Sequence, residues 1–469
     1  MKKRPIRRRR LLLPLAALGA LLLAIPAALI GLASLPEPPR RGEVPPRVEL
    51  VARGQGALRA GAAAVPFDLP AETPIGGFGR LSYESSGVRD RTGARAVVVE
   101  APGCRVALVS AELVLVPEAL EEAVRARLSD VPLDGLILAA THTHAGPGGY
   151  WEDLAGERLA TGPFDPAVRD AIARAIAAAI RRAVAAEEPA RLAVGRARAE
   201  KLVRNRDGGR KDARLAVLRL DRPDATPIAE LALFPAHPTT LGKQNRALSG
   251  DWTGPFLSVS SHGVRLLFQG ASGDQSVSLP TDGPITPELY AAALSTEVDR
   301  LDVGPADPAP ALAYARTRVT LPAPAPAALP AALERAGRNL TADLWPAQAQ
   351  VAALRLGPVL LLAVPGEPTA EVGARLRDRA GPGAELLSLA NGYVGYVESP
   401  AVIAAGRGET RHSYYGPELA GRIERAVGVV AGALRDDRRG ARLTRTHGAL
   451  ALQEHKRPGA RGTPVPTAR

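Results

Sequence analysis

Residues 138–150 read Leu-Ala-Ala-Thr-His-Thr-His-Ala-Gly-Pro-Gly-Gly-Tyr. The apolar run Leu136 to Ala140 leads straight into two histidines spaced i, i+2. In a strand alternate side chains share a face, so His142 and His144 are predicted to point the same way from its end. Gly146, Pro147, Gly148 and Gly149 exclude a helix there and let backbone come close to a ligand. Two imidazoles on one face form a metal-site pattern. With seven histidines in 469 residues, two in one tripeptide stand out from chance. The plain alternative is an exposed histidine pair at a strand end.

Outward from this segment, strand-like and helix-like stretches alternate. Val106 to Ser110 reads as a buried strand and Pro117 to Leu128 as a helix. The clearest helix follows Asp165, a good N-cap, with Pro166 at the first helical position. Val168, Ile172, Ile176, Ile180 and Val184 recur every four residues and mark its buried face. Four further apolar runs also end in turns that carry chemically capable residues. Ile228–Phe234 leads to His237, Val264–Phe268 to Asp274 and Ser276, Val359–Val364 to Glu367, and Leu386–Ala390 to Tyr393 and Tyr396. Five strands ending this way predict one site at the rim of a sheet in an α/β fold. Residues 303–330, with their Ala-Pro run, read as a loop or excursion outside the core.

Each residue also has a plain reading. His237 before Pro238 could be a core or loop histidine. Glu367 could simply open the next helix, where carboxylates are stabilised. Asp274 and Ser276 could form an Asx turn, and Tyr393 and Tyr396 could both be packing residues. His262, His412, His447 and His455 read as ordinary.

Composition narrows the function. Hydrophobic residues make up 46% of the chain, enough for a globular core, while aromatics make up 4%. Six of the 60 basic residues are lysine. This arginine bias, alongside abundant Ala, Gly and Pro, makes the formal charge of +12 weak evidence for nucleic acid. The charge sits at the ends, in Lys2, Lys3, Arg4 and Arg7 to Arg10 and in a basic tail from Arg435 to Arg469. No basic patch interleaved with aromatics is present, so no nucleic-acid partner is expected. Cys104 is the single cysteine, which excludes an internal disulfide and a thiolate metal cluster.

Seven basic residues precede an uncharged apolar stretch from Leu11 to Leu35. It is longer than an ordinary signal-peptide core and long enough to span about 30 Å of hydrocarbon. Residues 1–35 are therefore expected to be an inner-membrane anchor with the body facing the periplasm, or a signal peptide whose cleavage leaves a secreted protein. Residues 36–50, rich in Pro and Arg, read as a linker.

Taken together, the motifs resemble the neutral/alkaline (non-lysosomal) ceramidase family. Thr141 to Gly149 resembles its Thr-His-Thr-His-Ser-Gly-Pro-Gly-Gly segment, with Ala145 in place of Ser. Asn205-Arg206, Phe234 to Pro238, Ser249-Gly250-Asp251, Gly273 to Ser276, Pro365-Gly366-Glu367 and Asn391 to Tyr396 are similar to further family elements in the same order. Ser413 to Pro417 is similar to its Ser-x-x-Tyr-Gly-Pro, one residue shorter. Val277 and Ser278 depart from the family's usual Pro-Asn.

The resemblance implies a single large α/β catalytic domain, mixed sheets with flanking helices, over residues 51–436. The family's C-terminal domain is expected to be absent, and residues 437–469 are expected to be a disordered basic tail. It implies a Zn²⁺ cofactor held by His142, His237, Glu367 and Tyr396, with His144, Ser276, Arg206 and Tyr415 lining the site and Tyr415 polarising the scissile carbonyl. The implied activity is hydrolysis of the amide of an N-acyl lipid such as ceramide, through a zinc-bound water. The substrate partner is then a lipid amide, with membrane contact through the N-terminal segment. Other readings are a zinc-dependent esterase or cell-envelope amidase on the same scaffold, and a non-catalytic membrane-tethered binding module.

Overall fold

The computed structural model describes residue 31 and residues 41–79, 83–153, 156–325 and 345–435. The apolar span 11–35, most of it, and the tail 437–469 lie outside the described residues, as do His447 and His455. Among the described residues no helix is long and apolar enough to cross a membrane.

Among the described residues, thirteen strands, labelled here in chain order, build the three larger sheets. The first sheet takes β2 (Arg59–Pro66), β3 (Gly93–Ala101), β4 (Cys104–Ala111) and β5 (Gly135–Ala140), with a short edge from Glu188–Pro189. The second takes β6 (Arg191–Arg198), β7 (Arg214–Asp221), β8 (Pro227–Leu233) and β9 (Val264–Phe268). The third is ordered β1 (Val48–Gly54), β10 (Leu312–Thr320), β11 (Gln348–Leu356), β12 (Val359–Ala363) and β13 (Ala384–Leu387). Most neighbours are antiparallel, but each sheet contains one parallel pair: β4 with β5, β8 with β9, and β12 with β13.

The three sheets share one buried core. Val97, Leu108 and Ile137 from the first meet Leu218, Leu231 and Phe268 from the second and Tyr314, Leu354 and Leu361 from the third. Helices cover the outer faces. The helix α1 (Pro166–Ala185) packs across β2 and β3, and α2 (Glu418–Arg435) across β10 and β11. The expected cap is present, because the Asp165 side chain accepts from the Ala167 N–H, and Val168, Ile172, Ile176 and Ile180 are fully buried.

Two expectations are corrected. The site does not lie at the rim of one sheet: the five apolar runs are distributed over three. Residues 303–330 are also not an excursion, since β10 lies inside that range and pairs with both β1 and β11. Its Arg316 and Arg318, and the prolines that bracket it, hid a strand whose Tyr314, Ala315 and Thr317 are fully buried.

Candidate metal centre

The carboxyl ends of the three parallel pairs converge. Beyond β5, Thr141 N–H donates to Ala111 O and His142 N–H to Leu113 O, so the chain still follows β4 after the strand has ended. His142 has φ +73°, in the left-handed region that a non-glycine residue seldom occupies. Its ring and that of His144 do face the same place, 4.7 Å apart. The reason is this backbone twist, and not the strand alternation expected from the sequence.

Two further approaches are made by backbone pairing. His237 forms an isolated parallel bridge with Ser276. Glu367 pairs directly with Tyr396 in the two-residue parallel bridge of Glu367–Pro368 with Tyr396–Val397. The result is a tight buried cluster. Nε2 of His142 lies 3.0 Å from Nε2 of His237 and 3.0 Å from Oε2 of Glu367. Nε2 of His237 is 3.1 Å from the same Oε2 and 3.2 Å from the Tyr396 hydroxyl.

The proton arrangement decides what this cluster can hold. Nδ1 of His142 lies 2.6 Å from Val114 O, and Nδ1 of His237 lies 3.0 Å from Gln275 O. A carbonyl can only accept, so both Nδ1 atoms carry the hydrogen and both neutral rings turn an Nε2 lone pair inward. Those lone pairs meet each other and a carboxylate oxygen with no hydrogen between them, an arrangement that calls for a cation. Donors bonded to one zinc ion at about 2.0–2.2 Å sit about 2.9–3.4 Å apart, according to the angle between them. The observed separations fit that range. Backbone carbonyls on the outward nitrogens are also the usual way in which metal-binding histidines are oriented.

Protonation is a poor substitute for that cation. Burial, followed by the charge of Arg206, pushes His237 down to about 4. Burial and then the two neighbouring rings push His144 well below its ordinary value. Burial opposes charge on Glu367, but His142 and His237 outweigh it and hold the carboxyl well below its usual range. Burial and then the Glu367 charge keep the Tyr396 phenol well above its own, so it stays a neutral hydroxyl in the protein alone.

His144 is geometrically close: one ring nitrogen from each of the three histidines lies within 4.8 Å of the other two. Its chemistry differs. The Phe78 N–H donates to Nδ1 of His144 at 3.3 Å, which leaves the hydrogen of the neutral ring on Nε2, 3.4 Å from Nε2 of His142. His144 therefore presents an N–H where the other two present lone pairs.

Ser276 is buried beside His237. The Arg206 guanidinium donates to Gly273 O, pairs with Glu409 at 2.8 Å and lies 5.9 Å from the Tyr396 ring centre. Tyr415 is not brought to the cluster. Its hydroxyl donates to Pro346 O at 2.9 Å and its ring packs against Trp345. Its neighbour Tyr414, stacked on Trp345 at 4.3 Å, is the one close enough to Glu367 to feel its charge. Consecutive residues face different ways, and the family motif, one residue shorter here, did not show which of the two tyrosines turns inward.

Sequence reasoning also left residues out. Tyr393 donates to Oε1 of Glu367 at 2.8 Å; its place in the Asn391–Tyr396 motif was the available signal. His412, read as ordinary, lies with its ring 5.3 Å from that of Tyr396.

The chain is similar to known proteins over parts of its length. Residues 69–259, which carry all three histidines, match the family model described as neutral/alkaline non-lysosomal ceramidase, N-terminal. The chain is 28% identical over 249 residues to a neutral ceramidase of Mycobacterium tuberculosis, covering 45% of this chain and 38% of that protein. It is 30% identical over 203 residues to the neutral ceramidase of Pseudomonas aeruginosa, covering 39% and 30%. These matches thus span about a third of the relatives' own length. The crystal structure of the Pseudomonas aeruginosa neutral ceramidase superposes with a TM-score of 0.72 at 22% identity, over 81% of this chain and 75% of that one, and shares its mixed α/β fold. The chain is thus similar to the neutral/alkaline non-lysosomal ceramidases in sequence over residues 69–259, and shares the fold of one of them over most of its length.

Proposed function

We propose that this chain is a zinc-dependent hydrolase that cleaves the amide bond of an N-acyl lipid, with ceramide the first substrate to test. The observation that carries the reading is the inward convergence of two imidazole lone pairs and one carboxylate oxygen, buried and without a proton among them. His142, His237, Glu367 and Tyr396 would hold the ion, which when bound supplies a Lewis acid and makes water acidic enough to be deprotonated near neutral pH. His144, with a hydrogen on Nε2 and none on Nδ1, would donate that N–H as a hydrogen bond to the scissile amide and to the oxyanion that forms from it. Arg206 and Glu409 keep the Tyr396 ring in place. Ser276, next to His237, orients the attacking water.

The names of the curated relatives support an amide of a long-chain base over an ester. Residues 51–436 would form the hydrolase body, tethered by residues 1–35 through the linker 36–50. The uncharged span Leu11 to Leu35 behind seven basic residues supports a place at the outer face of the inner membrane. A substrate dissolved in the bilayer then has a short way to travel. The test is release of fatty acid from a panel of N-acyl lipids by the protein lacking residues 1–40, with zinc and with chelator. Turnover of short soluble esters but of no long-chain amide would sink the amide assignment.

A further inference from the structure

Gln269 lies directly after β9 and is fully buried. Its side-chain amide makes three hydrogen bonds, all at the roots of the metal centre. Nε2 donates to Thr141 O at 2.9 Å and to Ala236 O at 3.0 Å, while Oε1 accepts from Ala236 N–H at 3.1 Å. Thr141 and Ala236 are the residues immediately before His142 and His237. The main chain of Gln269 ties in the third sheet: its carbonyl accepts from Ser388 N–H at 2.8 Å and from the Ser388 hydroxyl at 3.1 Å, just past β13. One residue thus joins the ends of strands from all three sheets.

We infer that Gln269 is the positioning residue that sets the spacing of His142 and His237, and through it the affinity and geometry of the metal they hold. The two histidines come from different sheets, and the one backbone bond between their segments, His144 N–H to Pro238 O at 3.3 Å, lies beyond both His142 and His237. Each main chain is instead hydrogen-bonded to the same planar amide one residue upstream, and a planar group with three bonds cannot yield in one direction without losing another. An apolar side chain of equal length would fill the space but leave the Thr141 and Ala236 carbonyls and the Ala236 N–H without partners in a dry core. A glutamate keeps the acceptor for Ala236 N–H and loses at least one donor.

The inference rests on reading the cluster as a metal centre, and the experiment separates the two. Zn²⁺ affinity is measured by chelator competition, and the Co²⁺ absorption spectrum is recorded, for the wild type, Gln269→Met, Gln269→Glu and Ser110→Ala. Ser110 is an equally buried tie between sheets, donating to Leu267 O at 2.7 Å away from the histidines. Melting of the metal-free proteins reports folding. Gln269→Met is expected to lose about 10–100-fold in zinc affinity and to shift the cobalt spectrum, with Gln269→Glu between it and the wild type. Ser110→Ala is expected to melt lower yet keep both the affinity and the spectrum. If Gln269→Met fails to fold, Gln269→Glu carries the test. Folded Gln269 variants with wild-type affinity and spectrum would overturn the role of Gln269 while leaving the metal centre standing. A wild type that binds neither ion would overturn the metal reading, and this inference with it.

Discussion

The backbone N–H of Phe78 donates to Nδ1 of His144 at 3.3 Å, and this one bond gives His144 a hydrogen pattern opposite to that of His142 and His237. Three rings within reach of one point are thereby divided into two that offer lone pairs and one that offers a proton.

His237→Ala is accordingly expected to lose both zinc and turnover. His144→Ala is expected to keep zinc and to lose about 10²–10³ in rate, the usual cost of removing one donor to a developing oxyanion. Metal content by elemental analysis beside turnover decides it. Loss of zinc from His144→Ala would make it a ligand.

The loop that supplies this bond leaves no room at Gly77. Its φ is +80°, and a Cβ there would come within 2.3 Å of His144 Cα. Gly77→Ala should displace the main chain of His144, with a loss of about 10²-fold in turnover, as expected for a misplacement of about 1 Å. Zinc content should not change. Wild-type activity would show that the loop adapts freely.

Tyr393→Phe and Tyr415→Phe should behave oppositely. The first removes the only hydroxyl seen on Oε1 of Glu367 among the described residues, and zinc affinity is expected to fall about 10-fold or more. The second deletes the bond to Pro346 O and should cost about 1–2 kcal/mol of stability, with zinc affinity and turnover unchanged. A rate-deficient but fully stable Tyr415→Phe would restore Tyr415 to the site.

Stability should also fall with rising pH through a group far from the metal. Burial, followed by Arg105 in the opposite sense and Glu100 in the same one, leaves the Glu187 carboxyl raised from 4.5 to about 7. A folded value above the unfolded one means the folded protein holds that proton more tightly. The stability it adds is complete below 4.5 and is lost as pH rises through about 7. Glu187→Gln should flatten that decline when melting points are compared below 4.5 and above 7. An identical decline in wild type and variant would remove Glu187 as its source.

Much of the site was legible from short-range pattern. Asp165-Pro166 and the four-residue spacing of Val168, Ile172, Ile176 and Ile180 specify the helix Pro166–Ala185, because a cap and an apolar stripe act within a few residues. Apolar runs specified β5, β8, β9, β12 and β13 within a few residues, and the motifs that end them named His142, His237, Glu367 and Tyr396. The strand Leu312–Thr320 escaped because arginines stand on its half-exposed face and prolines flank it, so it shows neither a continuous apolar run nor a clean alternation.

The sequence by itself determined which chemical groups this protein carries and which strand ends deliver them, since residue type and local spacing are properties of the chain alone. Only the tertiary structure decided that three sheets, and not one, contribute those ends, that Glu367 and Tyr396 meet across one bridge, and that the Tyr415 hydroxyl turns to Pro346 O and not to the cluster. It also decided which histidines offer a lone pair. A tautomer depends on what lies beyond the outward nitrogen, and Val114, Gln275 and Phe78 are brought there by the packing of segments far apart in the chain.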